Sequence, residues 1–527
     1  MLFALLWSVG LSSLAVSLAQ PNDLFLTGLP WFVLVGWVPL FWALRNSLSN
    51  RMAAGLGALF GLLTTLMQDY WLAFFQDYAF WTIAAPALGL AGYGALLGPI
   101  LRTLLRTRSD WRPFAVGALW AVFEYLKSNG FLGFPWGLAS YPLHGWPVFL
   151  QILDVTGIGF LTFVVISLNA WLAETIGSFP RRQNPGRATW GGALFLAGLV
   201  ALTAGYGLQK LDAPAVAGKK VQLLLVQQNA DPWKSGDDLT PLLTSVKESQ
   251  EGLKQAPGTD LVVWSETALR YPLQEWRPYY ERNPAKSPLF KVIRSATPFW
   301  LFGNPYFQDY NPEKGLRGGG VNATVLMNPQ AQIVDYYGKI QQVPFAEYIP
   351  YWEVPAVQNF FIHVVGLAGS WELGRQLTVF QLPLAAGGQL HFSTPICFED
   401  AFPWINRAMV AKGAEVLINL TNDSWSHRDS SQEQHLIASM FRAVENRVPL
   451  VRSTNSGVTG VIGPMGTWLA GPLPSFQSGH LNVELNLPEV RPLTFYNQWG
   501  DWIIAVFALV LVLVLLVGAL RPERRTL

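Results

Sequence analysis

Long apolar runs fill the first 210 residues of the chain and return once near its end. Most of these runs approach the roughly 20 residues that an α-helix needs to cross the hydrocarbon core of a bilayer. We predict eight membrane-spanning helices, near residues 3–18, 29–43, 54–75, 80–101, 113–125, 149–176, 190–208 and 502–520. The sequence SLAQ at 17–20 resembles a signal-peptidase site, but no basic residue precedes the first run, so we favour a retained helix.

A different pattern begins at Lys219, where short aliphatic stretches alternate with turn residues and polar helices. Seven stretches are interpreted as buried strands that lead into loops: VQLLLVQQN, DLVVWSE, WLFGNP, NATVLMNP, LHFSTPICFED, AEVLINLTND and VPLVRSTNS. Helices are predicted at residues 239–255 and 432–447. Alternating strands and helices are typical of an α/β layered domain, which binds ligands at the carboxyl ends of its strands.

The composition agrees with a chain that is divided between a membrane and water. Charged residues are 13% of the 527 residues, about half of the share usual in soluble proteins. A net charge of +2 provides no basic face for nucleic acid. The single cysteine, Cys397, excludes an internal disulfide and a thiolate metal cluster, and the six histidines show no metal-ligand spacing. We therefore expect no metal, no cofactor and no nucleic-acid partner.

Arginines concentrate in alternate loops between the predicted helices. Because Lys and Arg are retained on the cytoplasmic side of a membrane, these loops indicate the orientation of the chain. The arginines are Arg45, Arg51, Arg102, Arg106, Arg108, Arg112, Arg181, Arg182 and Arg187, with Arg521, Arg524 and Arg525 in the tail. Both termini are therefore expected in the cytoplasm. The predicted domains are a seven-span part at 1–218, a polar extracytoplasmic domain at 219–490, and a final span with a cytoplasmic tail at 491–527.

Two charged residues lie near the outer end of the predicted fifth helix. Glu124 precedes Lys127 by three residues, which places both side chains on one face of a helix. An ion pair at the membrane interface is the simpler interpretation. A contact with a phospholipid head group is the alternative.

Three residues of the polar domain have complementary chemistry for acyl transfer. Glu266 ends DLVVWSE, Lys339 precedes a Pro-Phe turn, and Cys397 follows an apolar stretch. A thiol becomes a nucleophile when a base and a positive charge lie nearby, and the resulting oxyanion needs hydrogen-bond donors. Taken singly, Glu266 is also typical of a helix cap, Lys339 of an exposed lysine, and Cys397 of an inert buried thiol.

These residues and their surroundings resemble the Glu-Lys-Cys triad of the nitrilase, or carbon–nitrogen hydrolase, superfamily. The sequences NLTNDSW from 419, RAVEN from 442 and RSTNSG from 452 extend the resemblance along the polar domain. The spans on either side, with GFPWGLASYP from 133 and DVTGIGFLTFVVISLNAWLA from 154, are similar to one family in particular. That family is the bacterial apolipoprotein N-acyltransferases.

The resemblance implies both a fold and a reaction. The fold is a membrane α-helical bundle of about eight spans with an α/β nitrilase-like domain, a four-layer αββα sandwich, in the bacterial inner membrane. The reaction moves an acyl chain from a phospholipid, through a thioester on Cys397, to the N-terminal amine of the diacylglyceryl-cysteine of an apolipoprotein. This is the last step of lipoprotein maturation, and we expect a monomer to carry it out.

The same resemblance implies a role for each triad residue. Cys397 is the nucleophile, and Glu266 is the general base and then the acid. Lys339 stabilises the oxyanion together with the backbone N–H of Phe398. Phe398 itself departs from the family, in which we expect Tyr in many members.

Further residues are expected to support the triad. Glu347 and Glu399 are carboxylates that orient Lys339 and the nucleophile loop by family match. Trp233 matches an aromatic position of the family's substrate site, although an interfacial anchor is an equal alternative.

Residues 348–374 are unusually apolar for a loop outside the membrane. They either pack into the domain core or form a mobile lid at the bilayer surface, which would shield the thioester from water. Two other functions remain alternatives to acyl transfer. One is a membrane-anchored nitrilase-type amidase, and the other is a lipoprotein-binding scaffold with a vestigial site.

Overall fold

The apolar runs at the two ends of the chain form the helices of one unit, Met1–Asp212 with Trp499–Leu527. The structure, a computed structural model, describes residues 1–107, 110–178, 187–212, 218–234, 236–367 and 369–520. Some of the arginines from which we predicted the orientation lie outside these residues, namely Arg108, Arg181, Arg182 and those of the tail.

The helices of this unit follow the predicted runs. They are α1 (Leu2–Ala19), α2 (Val38–Asn46), α3 (Asn50–Gln68), α4 (Ala79–Arg106), α5 (Arg112–Lys127), α6 (Pro147–Leu150), α7 (Leu153–Thr156), α8 (Ile158–Ser178), α9 (Arg187–Leu211) and α17 (Trp502–Leu520). Within the described residues, four are long and apolar enough to cross a membrane: Leu2–Ala19, Gln76–Arg106, Ile158–Ile176 and Trp190–Leu211. The count of eight spans stays a prediction.

The two charged residues of α5 are both buried, at 6% exposure for Glu124 and 8% for Lys127. Glu124 accepts three hydrogen bonds, from Trp120 Nε1 (3.1 Å), the N–H of Ala139 (2.8 Å) and Thr162 Oγ1 (2.7 Å). Lys127 Nζ donates to the carbonyl of Trp136 at 2.7 Å. Across the described residues no ion pair joins Glu124 to Lys127, so each binds α5 to a different neighbour.

The second unit, Ala213–Gln498, contains two six-stranded sheets within the described residues. Its strands are β1 (Gly218–Gln227), β2 (Leu261–Trp264), β3 (Phe299–Phe307), β4 (Gly320–Met327), β5 (Ile333–Gly338), β6 (Phe380–Pro383), β7 (Gln389–Ser393), β8 (Val416–Thr421), β9 (Leu450–Thr454), β10 (Gly460–Ile462), β11 (Trp468–Ala470) and β12 (Gly479–Pro488). The sheet orders are β12-β1-β2-β3-β4-β5 and β11-β10-β9-β8-β7-β6. Each sheet is mixed, with three parallel strands at its centre, β1-β2-β3 and β7-β8-β9.

The two sheets pack face to face. Ser453 Oγ on β9 donates to the carbonyl of Val263 on β2 at 3.1 Å, and Thr454 Oγ1 donates to Gln227 Oε1 at 3.3 Å. Helices cover the outer faces because they bury one apolar stripe against each sheet. The helices of this unit are α10 (Leu239–Gln255), α11 (Arg277–Tyr280), α12 (Leu289–Arg294), α13 (Pro355–Phe360), α14 (Pro403–Ala411), α15 (Asp429–Asn446) and α16 (Phe495–Trp499).

The outer layers give the domain its four-layer αββα order. Leu242 and Val246 of α10 join a buried cluster with Leu224 on β1 and Trp264 on β2. On the other side, α14 contacts β8 and α15 contacts β9. The predicted four-layer αββα sandwich of the polar domain is therefore confirmed.

The apolar segment after Ile349 lies on the surface of this unit. It contains α13 and a π-helical turn at Phe361–Val365. From 350 to 374, none of the described residues is buried. Tyr351 is 71% exposed and Val364 57% exposed. The segment thus lies outside the core of the domain.

Candidate active site

The three triad candidates follow strands of both sheets. Glu266 comes two residues after β2, and Lys339 comes directly after β5 in the same sheet. Cys397 begins a 3₁₀ turn, Cys397–Ala401, four residues after β7 of the facing sheet. Because the sheets pack face to face, these three strand ends meet and the side chains come together.

Lys339 is fully buried, so the interpretation as an ordinary exposed lysine is wrong. Its Nζ donates to Glu347 Oε1 at 2.8 Å and lies 3.7 Å from Glu266 Oε1. Burial lowers the pKa of Lys339, but the negative charges of Glu347 and Glu266 outweigh it and raise that pKa above its usual value. Lys339 therefore remains an ammonium.

Glu266 is held by two donors from different elements. Its Oε1 accepts a hydrogen bond from Asn322 Nδ2 at 2.8 Å, and its Oε2 accepts one from the N–H of Asn422 at 2.9 Å. Burial raises the pKa of Glu266, the positive charge of Lys339 lowers it, and the negative charge of Glu347 raises it. A carboxylate with a raised pKa can take up a proton and return it.

Cys397 occupies a backbone position that is rare for a residue with a side chain. Its φ is +49°, in the left-handed region, and its carbonyl accepts a hydrogen bond from Asn419 Nδ2 at 3.1 Å. Burial and then the charge of Glu266 raise the pKa of the thiol well above its usual value, although Lys339 lowers it. The resting side chain is therefore a thiol that needs a base during attack.

Glu399 connects the nucleophile turn to the segment after Lys339. Its carboxylate is fully buried and accepts hydrogen bonds from the N–H groups of Ile396 (2.8 Å), Ile340 (2.7 Å) and Gln341 (2.9 Å), and from the Tyr337 hydroxyl (3.0 Å). Burial raises the pKa of Glu399 to about 7, although the N–H donors lower it. Glu399 thus holds the backbone before Cys397 next to the backbone after Lys339.

The two aromatic candidates lie in different surroundings. Phe398 is 9% exposed, and its ring packs edge-on against Phe402 with centroids 4.8 Å apart. Trp233 Nε1 donates to the carbonyl of Trp425 at 2.8 Å, and the two indoles meet edge to face at 5.2 Å. Trp425 is 39% exposed, so this pair presents an aromatic surface to solvent.

Asn322 is a site residue that the sequence interpretation missed. Its Nδ2 donates both to Glu266 at 2.8 Å and to Glu347 at 3.1 Å, so one amide spans the two carboxylates. Its carbonyl also accepts the backbone N–H of Lys339 at 2.8 Å. An asparagine inside the apolar strand NATVLM is a polar residue at a buried position, and that was the available signal.

One group with metal-ligating atoms lies away from the triad. Atoms of Glu248, Glu251 and His480 lie within 4.8 Å of one another among the described residues. His480 Nδ1 is 2.8 Å from Glu248, and Glu251 is 3.9 Å from Lys247. At the triad itself, the ammonium of Lys339 occupies the position between the carboxylates.

Comparisons with known proteins cover both units. The family model of the apolipoprotein N-acyltransferase N-terminal domain matches residues 12–171, and the carbon–nitrogen hydrolase model matches residues 225–495. Apolipoprotein N-acyltransferase 2 of Treponema pallidum is 36% identical over 95% of this chain and 92% of its own. Apolipoprotein N-acyltransferase of Borreliella burgdorferi is 30% identical over 97% and 94%. A solved carbon–nitrogen hydrolase from Helicobacter pylori G27 is 16% identical over 51% of this chain and 89% of its own, with a TM-score of 0.35.

Proposed function

The chain belongs to the apolipoprotein N-acyltransferase family, and on that basis we propose that it acylates the N-terminal amine of diacylglyceryl-cysteine in apolipoproteins. The acyl donor in this proposal is a membrane phospholipid. One observation carries the proposal: a buried ammonium lies within 4 Å of two carboxylates, and the charges of all three groups act on the pKa of the Cys397 thiol.

The first half-reaction forms a thioester. Sγ of Cys397 attacks the ester carbonyl carbon of the phospholipid while Glu266 takes the thiol proton. The carbonyl electron pair moves to oxygen, where Lys339 and the N–H of Phe398 stabilise the negative charge. The intermediate collapses with cleavage of the ester C–O bond, and Glu266 returns the proton to the leaving lysophospholipid.

The second half-reaction consumes the thioester. The neutral amine of the acceptor attacks the same carbonyl carbon, and Glu266 accepts a proton from the nitrogen. Collapse breaks the C–S bond, and Cys397 leaves as a thiol after protonation by Glu266. The products are an amide on the lipoprotein and the free enzyme.

The charge balance of the site supports this sequence of proton transfers. Glu266 and Glu347 face a single ammonium, so the resting site has an excess of negative charge. Burial of the thiol and this negative charge together raise the pKa of Cys397, so the proton stays on the sulfur until attack.

The membrane arrangement belongs to the same proposal. A lipid donor explains why a nitrilase-like domain accompanies apolar helices, and the arginine distribution supports an extracytoplasmic domain at 219–490 between spans at 1–218 and 491–527. The protein is then a monomer with about eight spans. The exposed apolar segment at 350–374 supports a contact with the bilayer surface.

Intact mass spectrometry of the full chain tests the proposal. After incubation with phospholipid, we expect a hydroxylamine-sensitive increase of one acyl chain, absent in Cys397→Ala, because the chain has one cysteine. Addition of a diacylated lipopeptide should remove the adduct and produce a triacylated peptide. An adduct that yields only free fatty acid would indicate a hydrolase, and ammonia release from a small amide would support an amidase. Equal product from Cys397→Ala would contradict the nucleophile assignment.

A further inference from the structure

Four buried side chains of alternating charge form a closed ring next to the nucleophile turn. His435 Nδ1 lies 2.7 Å from Asp423 Oδ1, and His435 Nε2 lies 2.8 Å from Asp400 Oδ1. Arg452 closes the ring, with Nη1 donating to Asp400 Oδ2 and Nη2 donating to Asp423 Oδ2 at 3.2 Å. The exposed fractions of the side chains are 5% for His435, 0% for Asp400, 10% for Asp423 and 1% for Arg452.

The ring joins the two loops that carry the reactive groups. Asp400 lies in the 3₁₀ turn that begins with Cys397. Asp423 directly follows Asn422, whose N–H holds Glu266. His435 on α15 therefore touches, through one side chain, the loop of the nucleophile and the loop that positions the base.

The hydrogen bonds define the charge of His435. Carboxylate oxygens accept hydrogen bonds and do not donate them, so both ring nitrogens must donate and the ring is an imidazolium. The four side chains then sum to zero charge, whereas a neutral imidazole would leave one uncompensated negative charge in the interior. Burial lowers the pKa of His435, but Asp423 and Asp400 raise it, to about 9.

Within the part of the chain that the structure describes, no charged group outside the ring pairs with Asp423, whose charged partners are His435 and Arg452. Arg442 pairs with Glu445 at 2.7 Å on the same helix and donates to the carbonyl of Ala401. Glu433 on α15 is an acid that faces Arg452, and burial raises its pKa to about 7. Glu399, in the nucleophile turn, binds backbone N–H groups instead.

Asp423 is close enough to Cys397 for its charge to act on the thiol. After burial, Glu266 and the opposing effect of Lys339, the negative charge of Asp423 is the next influence that raises the pKa of Cys397. We propose that His435 is a positioning residue for the nucleophile: its imidazolium fixes the turn of Cys397 through Asp400 and, together with Arg452, balances the charge of Asp423 beside the thiol. This inference rests on the proposed function only in treating Cys397 as the nucleophile.

Alkylation of Cys397 by iodoacetamide, followed against pH by intact mass, tests the inference without any lipid substrate. His435→Asn keeps a donor near the position of Nδ1 but removes the charge. Because Arg452 is then the one cation shared by Asp400 and Asp423, the ring carries a net negative charge and the midpoint of the alkylation profile should move to higher pH. Below the midpoint, alkylation should slow about tenfold for each pH unit by which the midpoint rises. Removing the negative charge as well, in Asp423→Asn/His435→Asn, should return the midpoint toward that of the parent protein.

A second histidine–carboxylate pair provides the matched control. His480 on β12 lies 2.8 Å from Glu248, and His480→Asn should leave the midpoint unchanged. A lower rate with an unchanged midpoint in His435→Asn would mean a merely structural role and would overturn the inference. Failure of acyl transfer itself would leave this readout intact, so the two proposals fail separately.

The parent protein provides a further measurement if His435→Asn does not fold. NMR of the full chain with ¹³C-labelled histidine should show one ring that remains an imidazolium at pH 7.5. That signal should persist when the remaining five histidines are replaced. A neutral His435 at pH 7 would contradict the inference.

Discussion

Lys339 Nζ lies 2.8 Å from Oε1 of Glu347 but 3.7 Å from Oε1 of Glu266. Glu347 is thus the close carboxylate partner of the ammonium, and Glu266 is the more distant one. Asn322 Nδ2 donates to both carboxylates and so fixes their positions. Glu347 can therefore hold the cation in place while Glu266 gains and loses a proton. One carboxylate of the site therefore positions Lys339, and the other transfers the proton.

Glu347→Gln should weaken the base without removing it. Lys339 then has Glu266 as its remaining anionic partner, and a closer ammonium lowers the pKa of Glu266. We expect formation of the acyl adduct on Cys397 to become about tenfold to a hundredfold slower, part of the usual contribution of a general base. Time-resolved intact mass measures this rate. The exposed Glu353→Gln serves as control, and equal slowing there would point to a general effect on the segment.

Lys339→Met should remove the main electrostatic partner of the oxyanion. Loss of one such donor costs about a hundredfold to a thousandfold in rate. The variant also leaves the carboxylates of Glu266 and Glu347 without this cation, which raises the pKa of Glu266 further above its unfolded value. The folded state then loses stability as pH rises, so the Tm deficit should be larger at pH 8 than at pH 5. Lys247→Met, on an exposed face of α10, should show neither effect.

Local pattern predicted the long helices and the strands that are apolar on both faces. The helix at 239–255 matches α10, and the seven predicted strands appear as β1–β4 and β7–β9. The missed strands β5, β6 and β10–β12 lie toward the edges of the sheets, where only one face needs apolar residues. In β6 and β12 buried residues alternate with exposed ones, so a search for continuous apolar runs did not find these strands.

The site was only partly predictable because burial and pairing are tertiary properties. Spacing placed Glu124 and Lys127 on one helical face, yet each binds a different partner. No local pattern connects His435 and Arg452 with Asp400 and Asp423, since the packing of α15 and β9 brings these four residues together. The motif resemblance selected Glu266, Lys339 and Cys397, whose catalytic roles stay predictions.

Glu399→Gln should change the pH dependence of stability as well as activity. The folded pKa of Glu399, about 7, lies above its ordinary 4.5, so its contribution to stability is present at low pH and is lost between about 4.5 and 7. Glutamine does not titrate. Its amide NH₂ group would also face the backbone N–H groups that now donate to Glu399, and two donors cannot form a hydrogen bond. The Tm deficit of the variant should therefore be largest at pH 5 and should narrow by about 5 °C at pH 8. A deficit that is constant with pH would contradict the raised pKa.

Cys397→Gly should be more stable than Cys397→Ala, although both lose the nucleophile. A residue with a β-carbon at φ +49° costs about 1–2 kcal/mol, and glycine avoids that cost. The net gain of about 1 kcal/mol corresponds to a Tm higher by about 2–4 °C. Position 251 in α10 provides a control of opposite sign. Glu251→Gly should be less stable than Glu251→Ala by about 1 kcal/mol, because glycine is unfavourable inside a helix. Equal Tm values for the two Cys397 variants would mean that the turn relaxes when the thiol is removed.

A charge in the exposed apolar segment should impair use of membrane lipid but not the chemistry of the triad. Val364 is 57% exposed, and Val364→Glu places a carboxylate where an apolar surface would enter the bilayer interface. We expect acylation of Cys397 from phospholipid vesicles to slow about tenfold, equivalent to about 1.4 kcal/mol of lost contact. Acylation from a short-chain, water-soluble ester should keep the parent rate, because the triad is unchanged. Val334→Glu on β5, at 50% exposure, is the same substitution at similar exposure and should affect neither substrate. Slowing with both donors, or with both variants, would place the effect in the fold of the domain and not in contact with lipid.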